Sequence, residues 1–231
     1  MEIKIESQMA YPLASFSMVQ GENARIARGS MVYRTGGVEL NTKLNASGSG
    51  AGAFIKAVAR SAVSSESMFI TEVICNGASG EVAIAPEMPG SIIQLDIGER
   101  QYRLNDSVFL AMESSVSYTL ERQNLGKAIF AGTGGLFVMT TGGQGRMLIN
   151  SFGTVKEIQL NNVDEFVIDN GHVVAWDTSL QYSLQLQSGF FGSIGTGEGI
   201  VNTFRGTGKV LIQSLNLQSF AGQLSRYIVK G

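Results

Sequence analysis

Gly132-Thr-Gly-Gly-Leu-Phe-Val-Met-Thr-Thr-Gly-Gly-Gln-Gly-Arg-Met-Leu-Ile-Asn-Ser151 returns 63 positions later as Gly195-Thr-Gly-Glu-Gly-Ile-Val-Asn-Thr-Phe-Arg-Gly-Thr-Gly-Lys-Val-Leu-Ile-Gln-Ser214, with ten of twenty positions identical. Unrelated stretches would share about one or two, so the chain carries an internal repeat. Upstream, Tyr102 to Leu120 aligns with Phe166 to Leu184 at an offset of 64. This pairs Ala111 with Ala175, Met112 with Trp176, Glu113 with Asp177, Ser115 with Ser179 and Tyr118 with Tyr182. Ile93-Gln-Leu95 likewise matches Ile158-Gln-Leu160, giving a unit of about 63 to 65 residues.

A more divergent copy runs from Gly29-Ser-Met-Val-Tyr33 through Val38-Glu-Leu-Asn-Thr-Lys-Leu44 to Gly80-Glu-Val-Ala-Ile84, with Gly80 in the slot of Gly145 and Gly208. Its extra length falls in residues 45–66, and the three copies are drawn at 8–90, 91–155 and 156–215. Short alternating runs such as Val116-Ser-Tyr-Thr-Leu120, Leu180-Gln-Tyr-Ser-Leu184 and Lys209-Val-Leu-Ile212 read as strands between glycine turns. The expected architecture is all-β: three tandem β-sandwich or short double-stranded β-helix units in one compact pseudo-threefold domain over 1–231. No Pro-, Ser- or charge-rich linker separates the copies.

After the third copy, Leu217, Phe220, Leu224 and Tyr227 or Ile228 recur at spacings of three and four, predicting an amphipathic helix over 216–229. Residues 53–63 are also helix-compatible.

Of the 231 residues 44% are hydrophobic, enough for a core without staples, while 16% are charged and the net charge is -2. That balance argues against broad attraction to nucleic acid or anionic lipid. The single cysteine, Cys75, lies in an apolar run and reads as a buried, unreactive thiol. The start Met1-Glu-Ile-Lys-Ile-Glu lacks a secretory pattern, and no run of apolar residues is long enough to span a membrane. A cytoplasmic protein is expected.

Gly80-Glu-Val-Ala-Ile-Ala-Pro, Pro89-Gly-Ser-Ile, Ser151-Phe-Gly-Thr, Asp169-Asn-Gly-His-Val-Val-Ala-Trp-Asp177 and Gly195-Thr-Gly-Glu-Gly-Ile together resemble the bacterial branch of the altered-inheritance-of-mitochondria family. The resemblance implies a fold similar to the tryptophan RNA-binding attenuation protein and no established enzyme activity. It supplies no catalytic residues, so Asp169, Asn170, Gly171, His172, Trp176 and Asp177 stand as signature positions of unassigned role.

His172 is the only histidine, which excludes multi-histidine metal centres. A triad could form only around it, and no Gly-x-Ser-x-Gly elbow is present. No enzyme activity, metal or cofactor is expected. Asp169-Asn-Gly reads as a tight hairpin turn braced by His172, and Trp176 as packing. The glycine blocks lack a Gly-Lys-Ser/Thr ending and read as loops, not phosphate cradles. Asp164 and Glu165 read as a solvated turn. For RNA, Arg146 and Lys209 align but Glu81 fills their slot in the first copy, which disfavours nucleic acid.

Three apolar stretches precede the glycine blocks: Phe54, Ile55 and Val58; Leu125, Ile129 and Phe130; Phe190, Phe191 and Ile194. Under pseudo-threefold symmetry they share a face, which either plugs the sheets, meets a second copy or protein partner, or contacts a membrane peripherally. The expected function is a non-enzymatic structural or protein-interaction module that self-assembles through this face. The alternative is a small-ligand or RNA-binding module using grooves between the copies.

Overall fold

The computed structural model describes residues 1–6, 10–44, 69–105, 107–123, 137–186 and 199–228, most of them in β-strands. Period-two burial accounts for these strands. In β3 (Asn23–Ala27) Ala24 and Ile26 are buried between partly exposed neighbours, and β9 (Tyr102–Leu104) buries Tyr102 and Leu104 on either side of Arg103. Successive strand side chains point to opposite faces, so this alternation gives one face to the core.

Strand partners follow one scheme three times. In the first set, β2 (Leu13–Val19) and β4 (Met31–Arg34) flank β7 (Ser79–Ile84), while β5 (Val38–Leu44) and β3 flank β6 (Phe69–Cys75). In the second, β8 (Ile92–Ile97) and β10 (Phe109–Glu113) flank β13 (Gly145–Asn150), while β11 (Val116–Arg122) and β9 flank β12 (Phe137–Gly143). In the third, two long strands each fill two positions. The first half of β14 (Val155–Asp169) and β15 (Val173–Asp177) flank the second half of β17 (Ile200–Gln213). The second half of β14 and β16 (Gln181–Leu186) flank the first half of β17. A further strand, β1 (Glu2–Glu6), adds to β2.

Irregularities coincide as well. The register shifts between Met31 and Tyr33, between Phe109 and Ala111, and between Val173 and Ala175, a bulge at the same step of each set. Gly80, Gly145 and Gly208 each lie under the side chain at or just before the start of β5, β11 or β16. An added Cβ would sit 2.6 Å from Val38 Cγ2, 3.1 Å from Val116 Cγ2 and 2.8 Å from Leu180 Cγ. Only glycine lets the backbone approach that closely. The next amide along is capped each time by a side chain. Glu81 N–H donates to Thr35 Oγ1 at 2.9 Å, Arg146 N–H to Glu113 Oε2 at 2.7 Å, and Lys209 N–H to Asp177 Oδ2 at 2.9 Å.

Neighbouring sets join by one kind of contact. β10 pairs with β3 as Ala111↔Ile26, Met112↔Arg25 and Glu113↔Ala24, and β15 pairs with β9 as Ala175↔Leu104, Trp176↔Arg103 and Asp177↔Tyr102. The resulting sheets run β1-β2-β7-β4, β5-β6-β3-β10-β13-β8 and β11-β12-β9-β15-β17-β14, with β16 on β17. The apolar clusters interleave in the same way. Phe16, Ile26 and Ile84 pack with Leu110, Ala111 and Leu148. Leu104, Met112 and Met147 pack with Val174, Ala175 and Leu211. Trp176, Phe204 and Val210 pack with Val138. Full burial of each large apolar side chain contributes about 1.5–3 kcal/mol, so each junction is stabilised by apolar area as well as by the ladder.

Cys75 is fully buried, its thiol 3.7 Å from the Met18 carbonyl. The C-terminal helix α1 (Leu217–Ser225) starts at Asn216, whose Oδ1 accepts from the amides of Gln218 and Ser219. Its periodic side chains Leu217, Phe220 and Leu224 stay exposed, with Phe220 meeting the Phe152 ring edge-on at 5.2 Å. No helix among the described residues is long and apolar enough to cross a membrane.

Candidate functional site

Asp169, Asn170, Gly171 and His172 form a 3-10 turn, Asn170–His172, between β14 and β15. It is not the hairpin expected from Asn-Gly. β14 and β15 each pair with β17 and not with each other, and neither Asn170 nor Gly171 has the positive φ of a hairpin turn. Gly171 instead makes room for Asn216: a Cβ there would lie 2.2 Å from Asn216 Nδ2 and displace that side chain.

The polar atoms of this turn are engaged by three other parts of the chain. Asp169 Oδ1 accepts from the Gly171 amide at 2.7 Å. Asn105 Nδ2 donates to the carbonyls of Asn170 at 3.0 Å and Val173 at 3.1 Å, and Asn202 Nδ2 donates to Asn170 Oδ1 at 2.7 Å. Gln213 Nε2 donates to the Gly171 carbonyl at 2.9 Å, and His172 Nδ1 donates to the Gln213 carbonyl at 2.8 Å. A carbonyl can only accept, so the second bond holds the proton on Nδ1. The arrangement is a bracket tying β9, β14, β17 and the start of α1 together. His172 braces the turn through this bond. Asn105, Asn202, Gln213 and Asn216 complete the bracket, and local sequence does not reveal the partners of Asn202, Gln213 and Asn216 because these are remote along the chain.

Trp176 is 1% exposed and packs edge-on against Tyr182 at 4.9 Å and Phe204 at 5.6 Å; each such pair contributes about 0.5–1.5 kcal/mol beyond area. Burial among these rings pushes the Tyr182 phenol above its usual range, opposed by the Gln123 side chain and by Arg103, whose guanidinium lies 5.4 Å from the ring centre. Asp177 caps the Lys209 amide, and its Oδ2 lies 3.7 Å from Arg100 Nε. Asp164 and Glu165 lie within β14 rather than in a turn, exposed beside a register shift, with Glu165 3.8 Å from Arg205.

The two aligned basic residues already have acidic partners. Arg146 makes a 2.6 Å ion pair with Glu113 and donates to the Met1 carbonyl at 2.9 Å, while Lys209 lies 2.9 Å from Glu157. An open groove of about 610 Å³ runs between β8 and the third set, lined by Asp96, Glu99, Arg100, Glu157 and Lys209. Its charges are of both signs, and two of its cations sit beside carboxylates. Among the described residues, no group of three or more His, Cys, Asp and Glu is placed to hold a metal ion.

Two further signature segments, Pro89-Gly-Ser-Ile and Ser151-Phe-Gly-Thr, interlock as connectors, while residues 80–84 lie in β7 and residues 195–198 lie outside the described residues. The Ser151 amide donates to the Ser91 carbonyl and the Gly153 amide to the Pro89 carbonyl, both at 3.0 Å. Thr154 and Ser214 exchange bonds at 2.9 Å. Gly90 backs so closely onto the Ser151 carbonyl that a Cβ would lie 1.8 Å from it.

Residues 3–215 match the family described as mitochondrial biogenesis AIM24. The chain belongs to this family. An uncharacterized protein of Streptococcus pyogenes serotype M6 is 53% identical over 228 residues, 99% of this chain and 91% of that protein. A Streptococcus pyogenes protein of known crystal structure superposes with a TM-score of 0.84 at 51% identity, over 98% of this chain and 99% of that one. In this AIM24 chain, signature residues 169–172 lie in the bracket and residues 89–91 and 151–154 in the connectors.

The apolar candidates Phe54, Ile55, Val58, Leu125, Ile129, Phe130, Phe190, Phe191 and Ile194 lie outside the described residues, as do most of the glycine blocks and the helix-compatible stretch 53–63. The segments that carry them connect β5 to β6, β11 to β12 and β16 to β17, the same antiparallel pair of each set.

Proposed function

We propose that this AIM24-family protein is a cytoplasmic, non-enzymatic structural or protein-interaction module built from three copies of one β-unit, and that it assembles with itself. One observation carries the reading: among the described residues, two elements each leave three large apolar side chains in water. Met31, Val32 and Tyr33 of β4 are 39%, 54% and 43% exposed, and Leu217, Phe220 and Leu224 of α1 are 48%, 38% and 48% exposed. Gathered apolar surface of this kind favours contact with another protein over contact with water. The signature polar groups meanwhile bond to main chain and hold turns together, a use that needs no substrate. The expectation from sequence that the apolar stretches of the three equivalent connections share a face fits the same reading.

Native mass spectrometry of the purified protein tests it. A homogeneous assembly free of small molecules supports the module. Stoichiometric retention of a small molecule or nucleic acid overturns it in favour of a binding role for the grooves.

A further inference from the structure

The pairing scheme leaves two open strand edges whose equivalents are filled by a neighbouring set. In every set, β5, β11 and β16 have a single neighbour among the described residues. Those edges are free wherever the scheme occurs. The position of β4 is different, because its equivalents β10 and β15 are paired on both sides. The second half of β14 is different too, because its equivalents β3 and β9 are paired on both sides. Among the described residues, β4 pairs only with β7 and the second half of β14 only with β17. The internal scheme therefore stops one junction short, with a complementary edge at each end.

Exposure follows this division. Ala111 and Ala175 at the filled junctions are 0% exposed, whereas their equivalent Tyr33 is 43% exposed, and Tyr102 and Leu104 are buried whereas their equivalents Phe166 and Ile168 are only partly buried. Both edges are present in the same folded chain and neither covers the other, so the described residues do not supply the missing neighbour.

The chemistry at the two edges is complementary. At each internal junction, one cross-strand pair joins an arginine to an apolar residue, Arg25 to Met112 and Arg103 to Trp176. Both arginines reach the main chain where the next strand begins: Arg25 Nη1 donates to the Val116 carbonyl at 3.3 Å, and Arg103 Nη1 to the Leu180 carbonyl at 3.5 Å and Thr178 at 3.0 Å. At the open edges the same position holds Val167 on β14 and Arg34 on β4, so the arginine and the apolar residue have changed sides. Arg34 Nη1 donates to the Val38 carbonyl at 2.5 Å, the equivalent acceptor. An arginine on both strands would repel, and an apolar residue on both would leave that carbonyl without its guanidinium. The exchange keeps one of each.

We propose that β4 of one chain pairs antiparallel with the Phe166–Ile168 stretch of a second copy, in the register Tyr33↔Ile168, Arg34↔Val167 and Thr35↔Phe166, repeating the internal junction head to tail. This rests on the self-assembly reading and names its contact. Each chain carries one edge of each kind, so a closed ring of chains satisfies every such edge.

Mixing two single variants, Arg34→Cys and Val167→Cys, under mild oxidation tests the register. A disulfide-linked product of twice the 24.6 kDa chain mass, formed in the mixture and in neither variant alone, is expected on a non-reducing denaturing gel. Absence of that product, or the same yield when Tyr11→Cys replaces Val167→Cys, overturns the pairing. Light scattering gives a second measurement: wild type should have a mass that is a whole multiple of the chain, and Val167→Asp should reduce it to one chain with an unchanged far-UV spectrum. A monomeric wild type, or an unchanged mass in Val167→Asp, overturns the edge contact. Either result leaves a module that binds other proteins to be judged by the native mass measurement.

Discussion

Gly208 lies directly beneath Leu180, so close that a Cβ on the glycine would be 2.8 Å from Leu180 Cγ and 3.1 Å from Asp177 Cβ. Gly208→Ala must push the start of β16 outward or displace Asp177 from the Lys209 amide. Overpacking of this kind costs about 1–3 kcal/mol. Urea melts should show the loss as a lower midpoint with an unchanged slope, and Gly80→Ala against Val38 should behave alike.

Glu113 serves two purposes, capping the Arg146 amide and holding its guanidinium. Glu113→Ala leaves both donors without this acceptor and should cost about 1–3 kcal/mol. Glu113→Gln keeps an amide acceptor and should lose less. Thermal unfolding of the pair of variants ranks them, and equal losses would show that the cap contributes nothing separable from packing.

Asn216→Ala removes the N-cap of α1 and the side chain packed over Gly171. A lost cap costs about 1 kcal/mol of local stability. Because α1 buries none of its residues, the expected effect is fraying of the helix, seen as reduced ellipticity at 222 nm, with the β-sheet transition moved little.

Tyr182 titrates above its usual range because burial disfavours the phenolate. The folded state then holds the proton more tightly than the unfolded state. That stabilisation is complete below the ordinary tyrosine pKa of 10.0 and is lost as pH rises through the raised value. Tyr182→Phe should flatten the alkaline fall of the melting temperature, and an unchanged alkaline limb would place the cause in other groups.

Strand content was legible because period-two burial is local: Tyr102, Arg103 and Leu104 announce a half-buried strand in three residues. Cys75 was legible for the same reason, since it closes a largely apolar run. What was not legible depends on partners. Asn170-Gly171 reads as a hairpin from φ preference alone, but whether the flanking strands pair is decided by β17, which occupies both. Arg146 and Lys209 look available along the chain until Glu113 and Glu157 are brought beside them. The α1 periodicity is real, yet periodicity states which residues share a face and not whether anything covers it. The bracket partners Asn202 and Gln213 carried no local mark, because one polar side chain in a strand looks like any solvent-facing residue.

The junctions that join β3 to β10 and β9 to β15 also govern synthesis. When β3, β5 and β6 have left the ribosome, the side of β3 that needs β10 is still bare, and it stays so until the next third of the chain is made. A chain halted before β10 therefore leaves bare an edge of β3 that the finished chain covers, the kind of template that recruits other unfinished chains. Premature termination should be punished by aggregation far more than loss of the terminal helix.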